Sequence, residues 1–170
     1  MDKQRFKDQI FPLKHRLFRL ACTMLGDDAE AQDAVQEIFI RLWNNRDTIG
    51  EIRNTEAYAV TMTKNHCTDR LRKRRSFAVD SIAENPDGQM NPEEVAEMTD
   101  SARLIRRLMQ ELPPQQRMVM HLRDIEGFEY AEIEIQTGLS NEAIRANLSR
   151  ARKKIRTLFN DLSTYGLEKR

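Results

Sequence analysis

The sequence predicts an all-α protein of two small helical domains joined by an acidic linker, the second carrying a helix-turn-helix. Three observations predict it. Apolar residues recur at three- and four-residue steps along the chain, runs of alternating β-branched residues are absent, and Gly and Pro are few, at 6 and 5 of 170 residues. With 39% hydrophobic and 32% charged residues, the chain can bury a core under a charged surface, which excludes a disordered polyelectrolyte. Its length suits one ordinary domain or two small ones, since domains run from about 50 to 200 residues.

Phe6, Ile10, Leu13, Leu17, Leu20 and Met24 form one apolar stripe, which predicts a first helix from Asp2 to about Leu25. Gly26 and the pair Asp27-Asp28 end it. Asp28 is placed to cap a second helix running to about Asn45, with Ala31, Ala34, Val35, Ile38 and Leu42 inward. The short turn makes these two helices antiparallel neighbours. A break over 45–54 containing Gly50 precedes a third helix, Thr55 to Arg75, with Ala57, Tyr58, Thr61, Met62, Asn65 and Leu71 inward. Together they predict a first domain over residues 1–76.

From Ser76 to Ala102 there is no lysine or arginine, while Asp80, Glu84, Asp87, Glu93, Glu94, Glu97 and Asp100 accompany the turn residues Pro86-Asp87-Gly88 and Asn91-Pro92. Residues 77–91 therefore read as an acidic linker. Pro92 followed by two glutamates suits a helix start, so a second domain is predicted over 92–170. Its first helix runs to about Leu112 with Val95, Met98, Leu104, Ile105 and Leu108 inward; Pro113-Pro114 stops it, and Gln115 to Ile125 forms the next.

A net charge of +1 gives little sign of a nucleic-acid partner until the charges are mapped along the chain. Tyr130–Thr137 reads as a short helix, Gly138-Leu139 as a tight turn, and Ser140 as the cap of a longer helix, which is helix-turn-helix spacing. In that longer helix Ile144, Leu148, Ala151, Ile155 and Leu158 face inward. The opposite face carries Glu142, Ala146, Ser149 and Lys153 flanked by Arg145, Arg150 and Arg156, with no acid from Arg145 through Phe159. Small Ala146 and Ser149 let a helix sit deep in a major groove, and the arginines reach phosphates or a guanine edge. A basic terminal helix standing alone is more often a solvated face; the preceding helix, Gly turn and cap reverse that reading here.

The third helix ends in Asp69-Arg70-Leu71-Arg72-Lys73-Arg74-Arg75, with Lys64 a turn or two earlier. This second positive patch suits phosphates through counterion release, or is a solvated helix end favoured by the macrodipole. By contrast, Asp27, Asp28, Glu30, Asp33 and Glu37 precede the first base of the second helix, Arg41. That face repels DNA. It fits a positively charged protein partner, or serves only to stabilise the helix N-terminus.

Cys22 and Cys67 lack metal or redox spacing, and His15, His66 and His121 are scattered, which predicts buried free thiols with neither metal nor cofactor. No cluster with catalytic spacing supports a helical enzyme. The charged N-terminus and the lack of an apolar run near the roughly 20 residues needed to cross a bilayer predict a cytoplasmic protein without membrane insertion.

Four segments resemble the extracytoplasmic-function group of the sigma-70 family, across nearly the whole chain. Asp28–Trp43 (DAEAQDAVQEIFIRLW) is similar to its polymerase-binding and promoter-melting segment, and Ala57–Arg75 (AYAVTMTKNHCTDRLRKRR) to its minus-ten reading helix. Glu111–Ile133 and Gly138–Arg156 are similar to its minus-thirty-five reading domain. The resemblance implies a non-enzymatic specificity subunit whose partners are core RNA polymerase, promoter DNA both double-stranded and locally melted, and in many members an anti-sigma factor. It places Asp33, Gln36, Glu37 and Phe39 against the polymerase clamp helices. It gives the minus-ten strand, with a base flipped from the duplex, to Arg53, Asn54, Asn65, Asp69 and Arg70, beside the basic run Arg72, Lys73 and Arg74. Arg145, Ala146, Ser149 and Arg150, with Lys153 on the same face, fall to the upstream element. The acidic linker would run near the polymerase active-site and RNA-exit channels.

The chain departs from the family pattern at Glu134, where a small Ala is usual, at the interchanged pair Ile135-Gln136, at Asn147, where a base is common, and at Tyr58, where Trp is frequent. A free-standing helix-turn-helix regulator is the rival, and it would need another sigma factor to start transcripts.

Overall fold

Pro12 divides the predicted first helix. The computed structural model describes residues 1–80 and 100–167; most of the predicted acidic linker and the helix start at Pro92 lie outside the described residues. Helix α1 (Lys3–Gln9) starts behind Asp2, whose carboxylate accepts the Arg5 N–H at 2.8 Å. A 3₁₀ turn over Phe11–Leu13 with Pro12 inside it leads to α2 (Lys14–Leu25). A proline has no N–H for the helical ladder and its ring crowds the preceding turn, so the single predicted helix is two. The apolar stripe runs on across the break, which is why periodicity did not show it.

Gly26 closes α2 at φ +78°, and its N–H bonds to the Cys22 carbonyl at 2.9 Å. A Cβ at Gly26 would meet the Gln110 carboxamide at 2.6 Å, the far end of a side chain that can shift, so it is the positive φ that requires glycine. Helix α3 (Asp28–Asn44) is capped by Asp27, one residue before the predicted cap: its carboxylate accepts the Glu30 N–H at 2.8 Å. Asp28 is instead the buried first residue of the helix, ion-paired with Arg106.

A single turn, α4 (Arg46–Ile49), lies within the predicted break and buries Ile49. Helix α5 (Thr55–Asp80) follows, with the Asn54 side chain accepting the Ala57 N–H at 2.9 Å. It packs on α2 and α3. Its buried residues are Ala57, Ala59, Val60, Thr63, His66 and Cys67, whereas Asn65, predicted inward, is exposed. With contacts to helices on more than one side, α5 lacks the narrow apolar stripe that a one-sided helix shows.

The C-terminal half comprises α6 (Asp100–Gln110), α7 (Pro114–Met120) running into a π turn (His121–Ile125), α8 (Tyr130–Thr137) and α9 (Asn141–Leu167). Leu108, Met109 and Leu112 are buried, but Ile105, predicted inward, is 47% exposed. The helix-turn-helix forms as expected. Glu129 and Glu132 make a reciprocal capping box at the head of α8, Gly138 ends it at φ +73°, and the Ser140 hydroxyl accepts the Ala143 N–H at 3.2 Å. Ile144, Leu148 and Ala151 are buried, with Ile155 and Leu158 half-buried. The described residues contain no strand, and both halves contribute to one buried cluster reaching from Leu17 and Met24 to Met118, Val119, Ile133 and Leu148. Cys22 and Cys67 are buried and neither forms a disulfide, and burial pushes the Cys67 thiol up to about 12.

Candidate nucleic-acid and polymerase interfaces

At 100° per residue, Arg145, Ser149, Lys153, Ala146 and Arg150 span a sector of about 140° on α9, opposite the buried residues. Arg145, Ser149, Arg150 and Lys153 are exposed and Ala146 is half-buried, so one cationic face with a small-residue floor is presented outward. Arg145 is held in place: its Nε donates to the Asn141 side-chain oxygen at 2.7 Å, and its guanidinium lies 4.5 Å from the Tyr130 ring centroid. Asn147, where the family commonly has a base, is 9% exposed and donates to the Ala143 carbonyl at 2.8 Å. It lies off the outward face.

The candidates on α5 separate into two stripes. Asn65, Asp69, Arg72 and Lys73 are exposed, and Arg53 and Asn54 are exposed just ahead of the helix. Asn54 uses its carboxamide oxygen as the α5 cap. Arg70 and Arg74 turn toward α3 instead. Arg70 donates to the Glu37 carboxylate at 2.6 Å, to the Glu30 carbonyl at 3.3 Å and to His66 at 3.0 Å, while Arg74 pairs with Glu30 and donates to the Leu25 carbonyl at 3.1 Å. Burial lowers the pKa of His66, which suits its role as acceptor for Arg70.

On α3, Asp33, Gln36 and Glu37 are exposed within a sector of about 100°. Phe39 is not among them. It points away and packs edge-to-face on Phe11, centroids 6.3 Å apart. Ile40 lies within the acidic sector and is 59% exposed, a large apolar side chain between the acids. A helical wheel drawn over Asp33 to Ile40 would have found it; attention to charge alone passed over it.

Where the halves meet, Arg117 links two helix ends. The guanidinium is buried and donates to the Thr23 and Met24 carbonyls at the end of α2 (3.3 and 2.9 Å), to the Gln110 carbonyl at the end of α6 and the Leu112 carbonyl just beyond it (2.8 and 3.0 Å), and to the Gln110 side chain (2.7 Å). Burial lowers its pKa to about 10, so it is still a cation at neutral pH. Beside it the Glu126 carboxylate, 3% exposed, receives Arg19 through two bonds (2.8 and 2.9 Å) and Arg16 at 3.0 Å. His121, fully buried, places Nδ1 2.8 Å from the Thr23 hydroxyl and Nε2 3.4 Å from Glu126. Further along, the Thr61 hydroxyl and Lys64 ammonium of α5 donate to the Gln136 and Thr137 carbonyls at the end of α8 (2.8 and 3.2 Å). Gln136 is buried and Ile135 is 66% exposed.

Burial alone would raise the Glu126 carboxyl, but His121 and Arg19 outweigh it and hold the group well below the ordinary carboxylate range. A carboxyl whose folded value is depressed stabilises fully above its unfolded value, about 4.3, and loses that contribution as pH falls toward the folded value. The melting temperature gap between wild type and Glu126→Gln is therefore expected to hold steady from pH 7.5 to 5.5 and to shrink below about pH 4. A gap that is constant down to pH 3 would contradict this.

Among the described residues no helix is long and apolar enough to cross a membrane. The sigma-70 region 2 pattern matches residues 12–77 and the sigma-70 region 4 pattern matches residues 102–155. The extracytoplasmic-function RNA polymerase sigma factor SigE of Mycolicibacterium smegmatis is 28% identical over 145 residues, covering 83% of this chain and 56% of that protein. SigW of Bacillus subtilis is 24% identical over 172 residues, covering 95% of this chain and 92% of that protein. The probable factor SigI of Mycobacterium tuberculosis is 33% identical over 148 residues, covering 82% of this chain and 50% of that protein. The chain thus spans about half the length of SigE and SigI and nearly all of SigW. Among solved structures, the sigma factor RpoE of Bartonella quintana, crystallised with the anti-sigma factor NepR, superposes with a TM-score of 0.79 at 22% identity, covering 92% of this chain and 98% of that one, a likeness of fold. Two sigma regions in the expected order, on the helices that carry the two cationic stripes, show that the chain belongs to the sigma-70 family of RNA polymerase sigma factors, in its extracytoplasmic-function group.

Proposed function

We propose that the chain acts in the cytoplasm as a non-enzymatic specificity subunit: it binds core RNA polymerase and directs initiation at a limited set of promoters. Its working parts are a region 2 domain over 1–76, an acidic linker over 77–91 and a region 4 domain over 92–170. The observation that carries the residue assignment is the sorting of charge by the fold. One cationic face on α9 and one polar and basic stripe on α5 are presented outward, while the acids of α3 form a separate face. Arg145, Ala146, Ser149, Arg150 and Lys153 read the upstream element. Arg53, Asn54, Asn65, Asp69, Arg72 and Lys73 hold the minus-ten strand, and Arg70 and Arg74 brace that helix against α3. Asp33, Gln36, Glu37 and the exposed Ile40 meet the polymerase, while Phe39 supports them from beneath through Phe11.

Elements centred near minus ten and minus thirty-five lie roughly 80 Å apart on duplex DNA. The bonds from Thr61 and Lys64 to the end of α8 hold the two readers much closer, so both can engage one promoter only after the halves part. An anti-sigma factor, the partner named for the Bartonella relative, would act by holding them together. Arg145→Ala is expected to weaken binding of the holoenzyme to its cognate upstream element by about 1 to 3 kcal/mol and to relax preference at one base pair. Competition binding against duplexes altered in that element checks this. Unchanged affinity and preference would remove Arg145 from the groove.

A further inference from the structure

The upstream reader contains an aromatic residue that base-contact reasoning does not use. Tyr130 is the first residue of α8, fixed by the capping box of Glu129 and Glu132. Its ring has two guanidinium neighbours: Arg145 of α9 at 4.5 Å and Arg123 at 4.8 Å from the centroid. Arg123 is itself tied down, donating to the Phe128 carbonyl at 2.7 Å and pairing with Glu129 at 3.1 Å. The ring is half-buried, so α8 presents it as a fixed plate beside the outward end of Arg145.

We propose that Tyr130 is a positioning residue for promoter readout: its ring, together with Asn141, presets the Arg145 guanidinium in the direction from which it meets a base edge. The proposal rests on the assignment of Arg145 to the upstream element. The contacts make it specific. Arg145 spends its Nε on Asn141 and its guanidinium carbon lies 4.5 Å from the ring centroid, so these two contacts leave the two terminal nitrogens as donors for a base. A pair of adjacent donors matches the O6 and N7 acceptors of guanine and no other base edge in the major groove. A free arginine would have to lose its rotamer freedom on binding; one already stacked and hydrogen-bonded does not, so the benefit appears as discrimination.

The test uses holoenzyme reconstituted from core polymerase and the full chain, with a pool of promoter duplexes taken from its own mapped starts and randomised in the upstream block. Sequencing the bound fraction gives a base preference at each position. Arg145→Ala should flatten the preference for guanine at one position. Tyr130→Ala should flatten that same position by about three- to five-fold and spare the others, while Tyr130→Phe keeps it, because the ring and not the hydroxyl carries the effect. In an Arg145→Ala background, Tyr130→Ala should change nothing further at that position. If Arg145→Ala flattens a position that Tyr130→Ala leaves sharp, the positioning role is overturned while the groove assignment stands. Equal loss in Tyr130→Phe and Tyr130→Ala would also overturn it, since the hydroxyl would then be at work. Uniform weakening at every position would mean general damage to the reader and would equally overturn it. If Arg145→Ala flattens no position, the groove assignment itself falls.

Discussion

Arg117→Met is expected to lower the stability of the protein by about 3 to 5 kcal/mol, a fall in melting temperature of roughly 10 °C for a chain of this size. Methionine fits the volume but offers no donor. The carbonyls of Thr23 and Met24 lie in the last turn of α2, that of Gln110 ends α6 and that of Leu112 lies just beyond it, where the helical ladder leaves carbonyls unmet. One buried guanidinium bonds all four; removing it takes that donor from Met24, Gln110 and Leu112, while Thr23 keeps only the Gln110 side-chain N–H at 3.1 Å. Arg117→Lys keeps the charge but has three donors on a single nitrogen, so it should recover only part of the loss. Calorimetric melting of the three proteins checks this, and a methionine variant that melts with the wild type would contradict it. Because the four carbonyls come from both halves, the variant should also spend more time with the halves apart.

Asp33→Lys combined with Gln36→Lys is expected to weaken capture of core polymerase by about 100-fold or more, because like charges brought together at an interface cost several kcal/mol. Both positions are exposed, so the fold should survive. Glu37 is the less suitable partner for this experiment. It binds Arg70 at 2.6 Å and lies 3.8 Å from Arg41 and 3.5 Å from His66, so a lysine there would bring a cation against two arginines inside the first domain. A pull-down with purified core polymerase, with melting as the control for folding, reads the result. Undiminished capture by the folded double variant would refute the proposed polymerase face.

The features legible in the sequence are those with a local physical cause. Gly26 and Gly138 sit where the chain needs positive φ, Ser140 caps α9, and the recognition helix separates its buried and cationic faces at a regular step. What escaped the reading has a cause that is either masked locally or distant in the chain. Pro12 broke the first helix, but its neighbours kept the apolar rhythm. Asn65 was placed inward because α5 touches neighbours on several sides and carries no clean stripe. Phe39 joins the acids only through the family resemblance, and its half-buried ring is turned to Phe11. The junction of the halves could not be read at all: Glu126 finds Arg16 and Arg19 more than a hundred residues away, and none of the three stands in a pattern that announces the others. Likewise, the split of the basic run into Arg72 and Lys73 on one stripe and Arg70 and Arg74, bonded to α3, on the other depends on where α3 lies.

The most direct measurement maps the 5′ ends of RNA made by purified core polymerase on genomic DNA from the source organism, with and without this protein. The account predicts a new, limited set of start sites that appear only with the protein and share two sequence blocks upstream, one lost with Arg145→Ala. Identical start sites in both reactions would contradict it.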